Sequence, residues 1–329
     1  MSSLRKLITA VVSVGVVGAL LTGTAVAPAQ AANKKIAFVM GAESDPFFQA
    51  MKVGAEAAAK ANNIDLIWQG DPSEYSPATQ IPVVDQVLAQ KPDALVLIPT
   101  DPTALQASVA KAKAAGIPVI NVDTRVNDLT DVLSFITGDN ADGGAKAADA
   151  LAKAIKYTKG KTYQVVVGLT SATATTNVAR LDGFSKQIAK KYPGIKIVDK
   201  AYSQSQPAKA NTNVSNWLTK YPKLAGIFAI DGTNAAGAAA AIQAKGLKGK
   251  VALVGYDAYK ANVDLIGKGV FTALVAQDPA AEAKLAIEYL VKYFAGQTSG
   301  IKKEVVIPNV VLSKSSSKAD LAKYTYVQK

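Results

Sequence analysis

The chain has 329 residues, with 37 lysines and arginines against 25 aspartates and glutamates, a formal net charge of +12, and neither cysteine nor histidine. The missing cysteine excludes disulfides, thiol catalysis and a lipid-modified N-terminal cysteine. The missing histidine excludes Ser-His-Asp triads and imidazole metal sites.

Residues 1–31 have the pattern of an export signal. Arg5 and Lys6 form a basic start, and Leu7 to Leu21 form an apolar run too short for a membrane span. Ala29-Gln30-Ala31 then places small residues where a signal peptidase reads them, so cleavage is expected after Ala31. A permanent anchor is disfavoured by the short run and by Gly15 and Gly18 within it. Cleavage removes two positive charges and leaves a net charge of about +10. Nearly all of it is lysine scattered over polar helix faces, without the clustering and interleaved aromatics of a nucleic-acid groove, so no nucleic-acid partner is expected.

After the signal, apolar runs alternate with helical patterns. KIAFVM (35–40) reads as a strand, followed by a helix from Phe47 to Ala61. NIDLIW (63–68) is the second strand, and Ile81 to Gln90 lies in the second helix. DALVLIP (93–99), a helix over Ala104 to Ala115 and IPVINVD (117–123) complete a first βα series. The pattern restarts with YQVVVGL (163–169), IKIVDKAYS (195–203), GIFAID (226–231), VALVGYD (251–257) and FTALVAQ (271–277), separated by helical stretches. Such alternation predicts α/β architecture with parallel sheets covered by helices on both faces, in two domains of similar size.

The two halves echo one another. The stretch from Leu95 to Asp123 runs strand, Asp101, helix, Ala-Gly turn, strand, Asp123; that from Gly226 to Asp257 runs strand, Asp231, helix, Gly turn, strand, Asp257. Any two βαβ units share this outline, so the echo is compatible with one unit used twice and with generic likeness. Asp45, Asp101, Asp123, Asp231, Asp257 and Gln277 all fall just after predicted strands. Open parallel sheets bind ligands there, and two such sheets facing one another would form a cleft.

Familiar catalytic motifs fail. No GxGxxG follows a strand, GKT (160–162) has Ile155 where a phosphate loop needs glycine, and DNADGG (139–144) lacks calcium-loop spacing. No carboxylate pair lies near a recognisable nucleophile and base. No cofactor or metal is expected, and the chain reads as a binding protein and not an enzyme.

FVMGAESDPFFQAMKVGAEAAA, IPTDPTAL, AAGIPVINVDT, GDNADGG, ARLDGF, GIFAIDG, LVGYDA and ALVAQDP occur in this order. Together they resemble type I periplasmic binding proteins of sugar ABC importers, the ribose-binding-protein-like group, from about Lys34 to Ser313. The resemblance implies two Rossmann-like lobes with parallel sheets, joined by a three-strand hinge. The N-terminal lobe would comprise 34–138 and 278–307, and the C-terminal lobe 139–277 and 308–325. It implies a soluble exported protein, periplasmic or otherwise extracytoplasmic, that hands a small neutral sugar or polyol to permease subunits and works as a monomer, and it leaves a chemoreceptor open as a further partner.

The resemblance also implies the site. Phe47 and Phe48 match the aromatics that sandwich the sugar, whose C–H faces suit rings. Asp45, Asp123, Arg180, Asp231, Asp257 and Gln277 match the polar ring, in which carboxylates accept from hydroxyls and arginine donates to them. Three departures set ribose itself aside and leave a pentose, hexose, furanose or sugar alcohol open. The Asp-Arg pair becomes Asp123-Thr124-Arg125, Ile98 replaces an asparagine, and no aromatic stands at Gln204 to Pro207, Tyr202 being nearest.

Bland roles compete with several of these. Asp101 reads as a helix cap, Arg180 has an alternative partner in Asp182, and Trp68 and Trp217 read as packing. Three other functions were weighed. A sugar-sensing transcription regulator would carry a helix-turn-helix where this chain has the export signal. An exported enzyme acting on a glycoside or sugar derivative would need an Asp/Glu acid-base pair within reach of substrate. Ligand delivery to a chemoreceptor is compatible with import.

Overall fold

The computed structural model describes residues 33–327, so the expected export signal lies outside the described residues. Two six-stranded sheets form the frame. The first contains β1 (Lys34–Met40), β2 (Ile64–Gly70), β3 (Ala94–Leu97), β4 (Val119–Val122), β5 (Val132–Gly138) and β11 (Glu304–Ile307), ordered β11-β5-β4-β3-β1-β2 and parallel throughout. The second contains β6 (Tyr163–Leu169), β7 (Ile195–Tyr202), β8 (Leu224–Ala229), β9 (Ala252–Tyr256), β10 (Ala273–Ala276) and β12 (Val310–Ser313), ordered β12-β10-β9-β8-β6-β7. Its edge strand β12 runs antiparallel to β10.

Each sheet is the middle layer of an α/β lobe, and β1 shows why. Residues 36–40 are wholly buried. Ile36, Phe38 and Met40 share one core with Met51 and Ala55 of α1 (Pro46–Ala61) and Ile287 of α9 (Pro279–Phe294). Ala37 and Val39 share another with Val84 and Val87 of α2 (Pro77–Ala89) and Val109 of α3 (Gln106–Ala114). Alternate side chains of a strand point to opposite faces, so a strand apolar at every position needs helices on both. Trp68 stacks on Phe38 at 4.7 Å between ring centroids and Trp217 is 4% exposed, so both are packing residues.

The chain passes between the sheets three times. It crosses from β5 into α4 (Asn140–Ala154), from β10 into α9, and from β11 into β12 through Pro308 and Asn309. The sequence periodicity did not single out β5, β11 or β12. Glu304–Ile307 alternates exposed and half-buried residues at a sheet edge, so no continuous apolar run marks it. Val132–Gly138 is mostly buried, but Ser134 and Thr137 interrupt its apolar run.

The remaining helices of the second lobe are α5 (Thr175–Lys191), α6 (Pro207–Lys220), α7 (Gly232–Ala244) and α8 (Lys260–Gly267), and α10 (Lys318–Tyr324) follows the last strand. The Asp-Asn-Ala-Asp-Gly-Gly stretch opens α4. A Cβ on Gly144 would lie 2.0 Å from the Arg180 carbonyl oxygen, and one on Gly143 would lie 1.9 Å from the Tyr256 hydroxyl. Gly144 therefore lets α4 and α5 touch backbone to backbone, which fixes where Arg180 starts, while Gly143 leaves room for the Tyr256 hydroxyl. Among the described residues no helix is long and apolar enough to cross a membrane.

Candidate functional site

The carboxyl ends of the two sheets face a common cavity, the place where open parallel sheets bind small ligands. All eight residues expected from the sequence line it: Asp45, Phe47, Phe48, Asp123, Arg180, Asp231, Asp257 and Gln277. The lining also includes Tyr75, Thr170, Ala174, Thr176, Asn177, Ser205 and Tyr259, none of which the sequence reading had named.

The first lobe supplies the aromatic wall. Pro46 begins α1 and Asp45 caps it, its Oδ1 accepting the Phe47 N–H at 2.9 Å. The capped turn presents Phe47 and Phe48 together, with ring centroids 5.4 Å apart and planes at 77°, the edge-to-face arrangement favoured by ring quadrupoles. Tyr75 and Tyr259 supply further aromatic lining. Tyr202 is 41% exposed on β7 and does not line the cavity, so the nearest sequence candidate for a third aromatic gives way to two tyrosines on loops.

Arg180 enters from α5 and is 3% exposed. Its Nε donates to Asn140 Oδ1 at 2.7 Å and its Nη1 to the Ile230 carbonyl at 3.1 Å, while the guanidinium carbon sits 3.8 Å from the Tyr256 ring centroid. Burial works against the charge, but attraction to Tyr256, Asp257, Asp123 and Asp231 outweighs it and holds the guanidinium protonated beyond its ordinary range. The surface alternative is ruled out, because Asp182 pairs instead with Lys186 at 2.6 Å. Arg125 does not line the cavity; its backbone N–H donates to Thr175 Oγ1 at 3.3 Å across the lobes.

The four aspartates differ in how their oxygens are used. Both oxygens of Asp45 are engaged across the lobes: the Tyr259 hydroxyl donates to Oδ1 and Thr233 Oγ1 donates to Oδ2 at 3.1 Å. Asp231 caps α7, its Oδ1 accepting the Asn234 N–H at 2.8 Å and its Oδ2 the Thr170 hydroxyl at 2.8 Å. Asp257 accepts the Gly232 N–H at 2.9 Å on Oδ2, and Gln277 Nε2 at 2.7 Å on Oδ1. The Asp123 carboxylate accepts no hydrogen bond from the described residues, and its Oδ1 is buried without a partner.

Burial raises the pKa values of Asp45, Asp123 and Asp231. Burial, with repulsion from Asp257 and Asp231, pushes Asp45 up to about 6 although its hydrogen bonds from Tyr259 and Phe47 oppose the rise. Burial pushes Asp123 up to about 7 against the pull of Arg180, with Asp257 and Asp45 adding repulsion. Asp231 is raised chiefly by burial. Asp101 stays outside the cavity and caps its turn, accepting the N–H groups of Thr103 and Ala104 at 2.9 and 2.8 Å. Among the described residues no group of three or more acidic side chains is arranged to hold a metal ion.

The cavity thus offers aromatic walls, one fixed cation and one unspent carboxylate to a small polar molecule. Known proteins share the architecture. The family described as periplasmic binding protein domain matches residues 36–298. A D-ribose/D-allose-binding protein of Pseudomonas aeruginosa is 32% identical over 84% of this chain and 87% of its own length. The ribose import binding protein of Escherichia coli is 29% identical over 94% of this chain and 99% of its own. A solved ABC transporter solute-binding protein from Agrobacterium vitis, bound with α-D-tagatopyranose, superposes with a TM-score of 0.84 at 33% identity, covering 90% of this chain and all of that one.

Proposed function

The chain belongs to the periplasmic binding protein family, and on that premise we propose that it captures a sugar or sugar-like polyol in the interlobe cleft and delivers it to an ABC import permease. The fold is the type I fold of that family, and its relatives are transport proteins that give the enzyme alternative no support.

The observation that carries the reading is the unmet Asp123 carboxylate oxygen in a cavity that also holds the buried Arg180 guanidinium. A buried carboxylate with an unmet oxygen costs free energy unless a donor arrives, and hydroxyls are donors. A polyhydroxy ligand gives one hydroxyl to Asp123, takes a hydrogen bond from Arg180, and lays its C–H face on Phe47 and Phe48. An anionic ligand would meet four aspartates with a single guanidinium to offset them, so the ligand is neutral.

The lobes, 34–138 with 278–307 and 139–277 with 308–325, turn about the crossings at 138–139, 277–278 and 307–308, as hinge-closing proteins do. Asp45 closes with them, because two of its donors, Thr233 and Tyr259, stand on the opposite lobe. The closed form presents both lobe surfaces to the permease. We place the mature protein, freed of residues 1–31, outside the cytoplasm as a monomer, and delivery to a chemoreceptor is a second outlet consistent with the same closed form.

Thermal unfolding of the chain from Ala32 onward tests this against D-ribose, D-allose, D-tagatose, D-arabinose, D-fucose and xylitol. A ligand that binds only the folded state raises the midpoint by mass action. One or two related compounds should shift it and be recovered unchanged. Chemical conversion of the sugar would restore the enzyme reading, and no shift from any of the six, after stripping of bound ligand, would move the site to another class of solute.

A further inference from the structure

The segment beyond β12 carries no motif, yet Tyr326 within it contacts residues that line the cavity. Ser317 caps α10 by accepting the Asp320 N–H at 3.0 Å, and Leu321 and Tyr324 pack against the main core. The chain then extends. The Tyr326 N–H donates to the Ala258 carbonyl at 2.9 Å, and Tyr326 forms an isolated parallel bridge with Tyr259. These contacts seat the segment beside the β9–α8 loop that carries Asp257 and Tyr259.

Tyr326 is 5% exposed, and its hydroxyl has two partners. It donates to Asp257 Oδ1 at 3.1 Å and accepts the Gln277 backbone N–H at 3.3 Å. Its ring lies 6.0 Å from the Phe47 ring and 6.0 Å from the Tyr259 ring, centroid to centroid. One side chain therefore touches four residues that line the cavity, two of them through hydrogen bonds and one of them, Phe47, from the opposite lobe.

The geometry points to Tyr326 as a positioning residue of the ligand site: its hydroxyl fixes Asp257 and Gln277, and its ring backs Phe47, so the C-terminal segment is a strap that completes the cleft. This rests on the proposed sugar-capture reading. The physical reason is orientation. Asp257 sits at a positive φ of 63°, a conformation that leaves its carboxylate direction to be set by partners. Gly232 N–H holds one oxygen and Gln277 with Tyr326 holds the other. Removing the Tyr326 donor leaves Asp257 Oδ1 with Gln277 Nε2 alone and strips the Gln277 N–H of its acceptor, without opening a void.

The test is calorimetric titration of full-length wild type, Tyr326→Phe and Tyr326→Leu with whichever of the six sugars and polyols binds wild type best, beside the ligand-free unfolding midpoint of each. Tyr326→Phe should bind about tenfold more weakly, with its ligand-free midpoint lowered by the unmet Gln277 N–H but less than that of Tyr326→Leu. Tyr326→Leu should bind more weakly still, because the backing of Phe47 goes as well. Wild-type affinity in Tyr326→Phe would overturn the positioning role, as would losses of affinity that merely follow losses of midpoint in both variants. If none of the six binds wild type, the capture reading itself falls and this inference with it, an outcome separate from a variant that binds normally.

Discussion

Asp123 and Asp257 occupy the same place in the two lobes and do different things with it. Each follows a central strand, β4 or β9, and each adopts a left-handed backbone, with φ of 59° and 63°. Each N–H donates at 2.8 Å to the strand that follows, to Ile136 or Val275. The backbone echo read in the sequence is therefore real down to a strained residue, a conformation that aspartate tolerates better than most side chains. The carboxylates have diverged. Asp257 is held by Gly232, Gln277 and Tyr326, whereas the Asp123 carboxylate accepts nothing from the described residues. The comparison teaches that the same backbone position can carry a carboxylate fully held by the protein or one left without a donor.

The largest expected effect comes from the cation both aspartates share. Arg180→Ala should weaken sugar binding by at least about a hundredfold, since truncating one partner of a buried charged set costs several kcal/mol. The fold should persist, because Arg180 reaches the cavity from α5 without filling either core. Unchanged affinity in calorimetry would remove Arg180 from the site.

Next, exchanging each aspartate for asparagine separates the two lobes in the absence of ligand. Asp257→Asn puts an amide where two oxygens accept from three donors, and should destabilise the ligand-free protein by about 1–3 kcal/mol in denaturant unfolding. Asp123→Asn removes a buried carboxylate that no donor satisfies, and should leave stability unchanged or raised at neutral pH. Equal losses in both variants would erase the distinction.

A smaller effect is the pH dependence of the ligand-free protein. Asp123 titrates near 7 and Asp45 near 6 in the folded chain, against roughly 4 for an unfolded aspartate. The folded state therefore holds protons that the unfolded state has lost, so stability is greatest at the acid end of this window and falls as pH rises from about 4 to about 7. Arg180, Asp257, Asp45 and the buried Glu282 are the charged groups around Asp123. Asp123→Asn should flatten the slope of midpoint against pH; an unaltered slope would contradict the placement of that titration on Asp123.

Much of this was legible in the sequence. Continuous apolar runs gave the parallel strands of both lobes, and polar residues just beyond them gave Asp45, Asp123, Asp231, Asp257 and Gln277. The resemblance supplied Phe47, Phe48 and Arg180, and the preference for arginine in a lysine-rich chain agreed with it. The rest was hidden for physical reasons. Tyr75 and Tyr259 reach the cavity from loops, which have no periodicity to betray an inward face. Thr170 and Asn177 follow β6 and obey the same strand-end rule, so that signal was present and not used. Tyr326 lies 49 residues from Gln277, and only the docking of the last helix brings them together. Which aspartate is spent and which is free depends on hydrogen bonds between distant elements, and no local pattern encodes that.

The most direct test of the account is titration of the best-binding sugar into wild type and Asp123→Asn side by side, with ligand-free stability measured on the same samples. The account predicts one sugar per wild-type chain and an affinity at least about tenfold lower in Asp123→Asn, with no loss of ligand-free stability. Equal affinity in the two proteins would contradict it, because the unmet carboxylate at the centre of the cleft would then not be where the ligand's hydroxyl binds.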